Sequence, residues 1–395
     1  MTDPVDPILI KSFQGVRNDI SLERFAPDDL SEAVNVDLDE TGKIMRRLGT
    51  KRLTTGVAHS LFCGGGSAYV VIGGMLKQLL PDMTTVDIAP VGTRVCYATV
   101  YGTTFWSDGA QTGALVSATN APWGIVPPPA LSMSNVAGAL RPGRYLAVMT
   151  YVRATGEESG AVGYTEIDVA ANEGIRFAPL PVSTDPQVAT KRIYVTTCNG
   201  AVALETMELP NTTTSATLAD MPVQGAPIRT QFMGPPPPGQ VLKYFAGRVL
   251  IGAGNFLHYT QPHEYGLVDR RFGSVGFDSE VRTIAPVNDG VYVGTATANY
   301  WLAGNDPTTW QASKVAPYGA VLGTEVVLRN DLVGQEGVRG SAVAWMTTRG
   351  LMMGFDGGIA QDKTGARYIP PVAREGASLL KIRSGTPQIV TTLYN

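Results

Sequence analysis

The sequence predicts an all-β chain, an irregular β-propeller of five or six blades interrupted by an inserted β-sandwich. Three observations predict it. Helical periodicity is nearly absent across 395 residues, while short apolar runs bounded by turn residues recur throughout. Five segments share one form, a strand, a Gly-bearing turn and a second strand, and the last three of them begin 43 and 53 residues apart. That is the spacing of propeller blades, small sheets that bury both faces only when neighbours stack on them. Finally, 45 Gly and 27 Pro with only 16% charged residues suit many short strands joined by tight turns.

Taken in order, the first element is the one helical candidate. Residues 27–33, PDDLSEA, place a proline and early acids where one or two helical turns would begin. The hairpins follow at 66–80 (GSAYVVIGGMLKQLL) and 99–109 (TVYGTTFWSDG). The texture then changes. Pro127, Pro128 and Pro129 open a block that GPPPPG at 234–239 closes, and such runs are extended and offer no backbone donors. Between them lie strand-like runs at 144–154, 165–171, 174–180, 191–197, 203–209 and 212–218, the pattern of a sandwich. Hairpins resume at 247–262, 290–305 and 343–358. The expected division is 1–126 for the N-terminal segment and first blades, 127–224 for the sandwich, and 225–395 for the remaining blades and ring closure.

Charge and composition exclude several classes. A formal net charge of -3 gives no global positive field for nucleic acid. The cations are skewed, 22 Arg against 9 Lys, which suits fixed ion pairs and phosphate contacts. No apolar run approaches the ~20 residues that span a bilayer, and the start MTDPVDPILIKSFQG carries no secretory pattern. Cys63, Cys96 and Cys198, far apart and odd in number, form neither a disulfide framework nor a zinc site.

Catalytic constellations are equally scarce. Histidine occurs only at His59, His258 and His263, and no HExxH, GxSxG, Walker or GxGxxG string is present. Asn305, Pro307, Thr309 and Trp310 in GNDPTTW loosely resemble the Asp-box turn of sialidase-type propellers, which locks a hairpin and performs no catalysis. Asp37 and Asp39 lack the spacing of a calcium loop and read as a turn leading into Gly42. Trp106, Trp123, Trp301 and Trp345 are able to stack sugars, yet tryptophans on short strands more often fill the gap between blades. No catalytic, cofactor-binding or metal-ligating residue is assigned. The basic residues Arg46, Arg47, Lys51 and Arg52, within seven positions, and the pair Arg270 and Arg271 are the candidates for a DNA channel or a subunit seam; a solvated turn with ion pairs is the competing account.

The N-terminal skeleton of Phe13, Gly15, Leu30, Ala33, Asn35, Val36, Asp37, Gly42, Arg46 or Arg47, and Gly49 resembles the opening of tail nozzle proteins of short-tailed bacteriophages, also called tail hub or tubular proteins. GRVLIGAGNFLHYTQPHEYG and the closing TPQIVTTLYN are similar to a hairpin and a final strand of that family. Pro142, Gly143, Tyr145, Tyr151, Gly156, Glu157, Glu158 and Ser159, with Arg192, Ile193 and Tyr194, resemble the fibronectin type III-like sandwich found inside phage tail propellers.

The resemblance implies a structural, non-enzymatic protein of the virion tail, made in the host cytoplasm and requiring no cofactor. It implies a homo-oligomer, commonly a hexamer, that docks on the tail adaptor ring, carries fibres, spikes or a plug, and passes genomic DNA without sequence preference and without a membrane. A charge-poor surface fits that expectation, because a closed ring buries two different faces of every copy. The alternative is a glycan-binding or glycan-hydrolysing propeller of the tail, with Trp301, Trp310, His258 and His263 on one rim. A third is a scaffold propeller of a host cell, against which the irregular repeats and the opening motif argue.

Overall fold

The strands are short and several, such as Gly290–Thr295 and Ala342–Met346, are buried on both faces, and the reason is visible in how they stack. A computed structural model describes residues 10–395 except 40, 50, 53, 117–118, 329–339 and 384–385. The chain is all-β and propeller-like. Among the described residues, five four-stranded antiparallel sheets, hereafter blades, each follow chain order. The first holds Ala58–Gly64, Ser67–Ile72, Met75–Leu79 and Thr85–Pro90, and the second Cys96–Val100, Thr103–Ser107, Thr112–Val116 and Thr119–Ala121. The third holds Val241–Phe245, Arg248–Ala253, Phe256–Tyr259 and Ser274–Gly276. The fourth holds Val281–Val287, Gly290–Thr295, Asn299–Ala303 and Ala312–Ala316, and the fifth Val326–Leu328, Ala342–Met346, Leu351–Phe355 and Ala360–Asp362.

Alternation along one strand feeds two cores. In Cys96–Val100, Tyr97 packs toward the first blade against Tyr69, Val71 and Leu76, while Ala98 and Val100 pack toward the third against Leu242, Val249 and Ile251. Val241 and Phe245 turn the other way, onto Ile284, Val291 and Val293 of the fourth blade. Tyr292 and Trp301 of the fourth blade then meet Val343, Trp345 and Met352 of the fifth. Each gap between neighbouring blades holds at least one tryptophan: Trp106, Trp123, Trp310, and Trp301 with Trp345. First strands of successive blades lie side by side, that of the second against those of the first and third, and that of the third against that of the fourth, so they gather toward a common axis.

Between the second and third blades the chain makes two facing sheets. Thr165–Val169, Gly143–Arg153, Val188–Thr196 and Ala203–Pro210 form one; Met133–Ala137, Glu173–Phe177 and Ala216–Leu218 form the other. Tyr145, Met149, Ile193 and Val195 from the first sheet interdigitate with Ile175, Phe177 and Leu218 from the second, as in a sandwich. Lys191 is fully buried there and donates to the carbonyls of Pro181 (2.5 Å) and Thr213 (2.9 Å). Burial lowers its pKa.

Both ends of the chain form separate two-stranded hairpins, Val36–Leu38 with Ile44–Arg46 and Glu375–Arg383 with Thr386–Tyr394, rather than one shared sheet. The expected helical turns at 27–33 do not form; a single 3-10 turn occupies Leu22–Arg24 instead. Tertiary partners override the local pattern. Leu30 exchanges backbone hydrogen bonds with Gly15 and Arg17, and Asp29 is drawn into ion pairs with Arg17 (3.3 Å) and Arg367. Arg367 also reaches Gln14, and Asn18 bonds Ile369 in both directions, so the entry segment is tied to the chain beyond the fifth blade.

Asp108 illustrates how turns are fixed. Its carboxylate accepts the N–H groups of Gly92 (3.0 Å), Ala110 (2.9 Å) and Gln111 (2.6 Å). Burial acts to raise its pKa, but those three donors outweigh it and hold the carboxyl below its ordinary value. A depressed carboxylate stabilises the fold above the unfolded pKa of about 3.9 and loses that contribution as pH falls through the lower folded value. Asp108→Ala is therefore expected to lower unfolding free energy at neutral pH by about 2 kcal/mol. The gap to the parent protein should narrow on acidification below about pH 4, as read by urea titrations across pH.

Candidate functional site

The N-terminal hairpin is the feature that gathers the sequence-predicted cations. Asp39 fixes its turn by accepting from the Thr41 hydroxyl (2.6 Å) and the N–H groups of Thr41 (2.8 Å) and Lys43 (2.9 Å), which hold its carboxyl below the usual range. The turn assignment accounts for this aspartate. Asp37 lies in the adjoining strand and is hydrogen-bonded or paired. Among the described residues no group of three His, Cys, Asp or Glu is placed to hold a metal, and Cys63, Cys96 and Cys198 are free thiols. Burial pushes the Cys96 thiol up to about 12.

Arg46, Arg47, Lys51 and Arg52 are all exposed along the outgoing strand and the chain that follows it. Arg52 folds onto the local carbonyls of Thr54 (2.7 Å) and Thr55 (2.9 Å). Arg46, Arg47 and Lys51 make no ion pair among the described residues. Interleaved with them, Ile44, Met45 and Leu48 expose their apolar side chains, as do Val34, Val57 and Leu61 nearby. The sequence reading recorded the cations and missed these apolar neighbours, whose only signal was a strand too short and too isolated to bury them.

Arg270 and Arg271 belong to a different element, the loop before the last strand of the third blade. The Arg270 guanidinium lies over Gly234. Arg271 pairs with Asp269 at 3.2 Å and stands 4.6 Å over the Phe232 ring and 5.3 Å from Phe272. These contacts join the third blade to the exit of the sandwich. Among the described residues no interaction links this pair with the N-terminal cluster, so the two are treated as separate features.

The aromatic rim expected for a glycan-reading propeller is not assembled. All five tryptophans are at most 8% exposed. Trp310 donates to the Gly304 carbonyl (2.8 Å) and packs on Phe245 and Tyr259 between blades. Trp301 lies against Tyr292 at 4.6 Å between ring centres. In GNDPTTW, Asp306 accepts from the Thr308 N–H (3.0 Å) and caps a 3-10 turn, a structural lock. His258 is half-buried in a strand beside Phe256, and burial lowers its pKa; His263 is exposed and rests on Gly247. Tyr101 is the exposed aromatic of note: it projects from a hairpin turn at φ 47° and is 84% exposed.

The sandwich is clamped to the blades by Arg153. Only 7% exposed, it pairs with Glu157 (2.6 Å) and Asp185 (2.8 Å) and donates to the carbonyls of Pro122 (3.0 Å) and Gly124 (3.2 Å). Gly124, at φ +79°, runs so close to the Gly266 carbonyl that a side chain there would collide with it and crowd Pro235.

No family model matches this chain, and no curated protein matches it. Among solved structures it is similar to BBS1N in complex with ARL6DN (12% identity, 85% of this chain and 92% of that one, TM-score 0.29). It is also similar to the AfRom2 CNH domain, at 7% identity over 85% of this chain and 93% of that one, with a TM-score of 0.27. PorZ of Porphyromonas gingivalis matches at 14% identity over 82% of this chain and 50% of that one, with a TM-score of 0.20.

Proposed function

We propose that this chain is a structural component of a short-tailed phage virion, a tail nozzle subunit that acts by geometry and carries out no bond chemistry. Copies assemble head to tail into a ring, six by the resemblance, around a conduit that retains and then passes genomic DNA. The ring docks on the adaptor above it and anchors fibres, spikes or a plug. One observation carries the reading: the N-terminal hairpin sets Ile44, Met45 and Leu48 in solvent beside three cations that make no ion pair among the described residues. A two-stranded sheet is marginal alone, and an apolar surface mixed with open cations suits a neighbouring copy better than water. The opening motif, Phe13 and Gly15 through Gly49, supports the same family.

Replacing Arg46, Arg47, Lys51 and Arg52 by Ser is expected to weaken ring assembly at least about tenfold, because seam charges set register and encounter. Virions carrying the change should package or retain less DNA. Unchanged assembly and infectivity would assign the cluster to a solvated turn.

A further inference from the structure

Each blade has four strands, whereas the hairpin of Glu375–Arg383 with Thr386–Tyr394 that follows them has two among the described residues. Glu375–Arg383 lies against Val326–Leu328, the first strand of the fifth blade, and Leu380 and Ile389 pack on the core of Leu328, Ala344 and Phe355. The hairpin thus takes the first and second places of a further blade, and Thr386–Tyr394 is left as its edge. The ladder between its two strands runs nine residues without a bulge, and from Gln388 to Tyr394 the edge carries neither a charge nor a proline. The outer edges of the five blades are all blunted. Thr85–Pro90 and Ala312–Ala316 carry Asp87 and Lys314, and Thr119–Ala121, Ser274–Gly276 and Ala360–Asp362 are three residues long. Charge and shortness keep a sheet edge from recruiting another strand, whereas a long uncharged edge is a template for one. Beside this edge is a cavity of about 260 Å³, open to solvent, lined by Ile389, Thr391 and Leu393 of the edge strand and by Met346, Leu351 and Tyr368. It is smaller than the roughly 300–1,000 Å³ of small-molecule sites and far larger than the ~30 Å³ share of one water, so it suits inserted side chains. All five tryptophans stand in the other gaps between blades, and none fills this one.

The chain itself holds a matching piece. Its N-terminal hairpin is also two-stranded, and among the described residues it joins no other sheet. It is anchored at its turn, where the Gly42 carbonyl accepts the Phe13 N–H (2.8 Å), which leaves the outer edge of Ile44–Arg46 for a neighbour. Ile44 and Leu48 are exposed and four positions apart, about 13 Å along an extended chain, the same interval as Ile389 and Leu393. We propose that the N-terminal hairpin of a second copy adds to the Thr386–Tyr394 edge, antiparallel as in the blades, with Ile44 opposite Leu393, Arg46 opposite Thr391 and Leu48 opposite Ile389. Ile44 and Leu48 then enter the cavity, while Arg46 extends through its open mouth into water. Two strands from each copy make one four-stranded blade. Donor and acceptor are different surfaces, so the contact repeats head to tail. This inference rests on the ring reading above and names the surface that receives the hairpin.

Light scattering of two full-length variants, alone and mixed, tests this. Ile44→Asp with Leu48→Asp spoils the donor, and Thr391→Lys charges the acceptor edge where Arg46 arrives. Each variant alone should remain a single chain. Their mixture has one working junction, the donor of Thr391→Lys on the edge of the other variant, and should stop at pairs of about 84 kDa, two copies of the 41.9 kDa chain. Rings built by either variant alone, or a mixture that stays single, would overturn the inference while parent rings leave the ring reading standing; a parent that stays a single chain overturns both. Should a variant fail to fold, cross-linking decides it, because directly opposed residues of an antiparallel pair lie within disulfide reach. With Cys63→Ser in both chains, Ile44→Cys in one and Leu393→Cys in the other should give a disulfide-linked pair only on mixing. No cross-link on mixing would overturn the inference.

Discussion

Arg153→Ala is expected to destabilise the chain by about 3–5 kcal/mol, the range for breaking a buried ion pair from one side. The magnitude follows from what remains. Asp185 and Glu157 keep their charges without the guanidinium that neutralises them, and the carbonyls of Pro122 and Gly124 lose their donor. Arg153→Lys should recover only part of the loss, since one ammonium cannot reach four acceptors in the planar fork geometry of arginine. Urea unfolding reads the loss of stability. Limited proteolysis reads its location: cleavage within 122–129 should accelerate in Arg153→Ala, because this residue fixes the linker that enters the sandwich. A variant within 1 kcal/mol of the parent, by the same scale, would show that the clamp contributes little.

Trp345→Ala should cost a similar amount, about 3–5 kcal/mol, through a cavity between the fourth and fifth blades. Trp345 is fully buried against Tyr292, with ring centres 5.3 Å apart, and its indole N–H donates to Asn299 at 2.8 Å. Asn299 is itself fully buried and donates onward to the Tyr318 carbonyl at 2.7 Å. Trp345→Phe separates the two contributions. It retains most of the volume but leaves the Asn299 oxygen without its donor, which should cost about 1–3 kcal/mol. Thermal melts of the three proteins order them parent, Phe, Ala if the gap is packed as described.

The parts of the fold that were legible in the sequence are those whose local chemistry agrees with their final partners. The hairpins at 66–80, 247–262, 290–305 and 343–358 are each the second and third strands of a blade, where glycine turns and doubly buried apolar runs coincide. The outer strand Thr85–Pro90 and the short first strand Val326–Leu328 were not foreseen; the one is polar and largely exposed, the other only three residues long. Met133–Ala137 was hidden between proline runs and carries two exposed polar residues. The 27–33 segment failed for the opposite reason, a strong local helix-start pattern overruled by Arg17, Arg367 and Gly15. Of the candidate surface, the cations were legible as a cluster because they are adjacent in sequence.

The central claim is that this chain completes itself by assembling with further copies. Negative-stain images of the purified full-length protein, paired with light scattering, test it most directly. The account predicts closed rings with an open axis, six copies of the 41.9 kDa chain giving a mass of about 250 kDa. Uniform single particles with the mass of one chain, and none of the protein in purified virions, would contradict it.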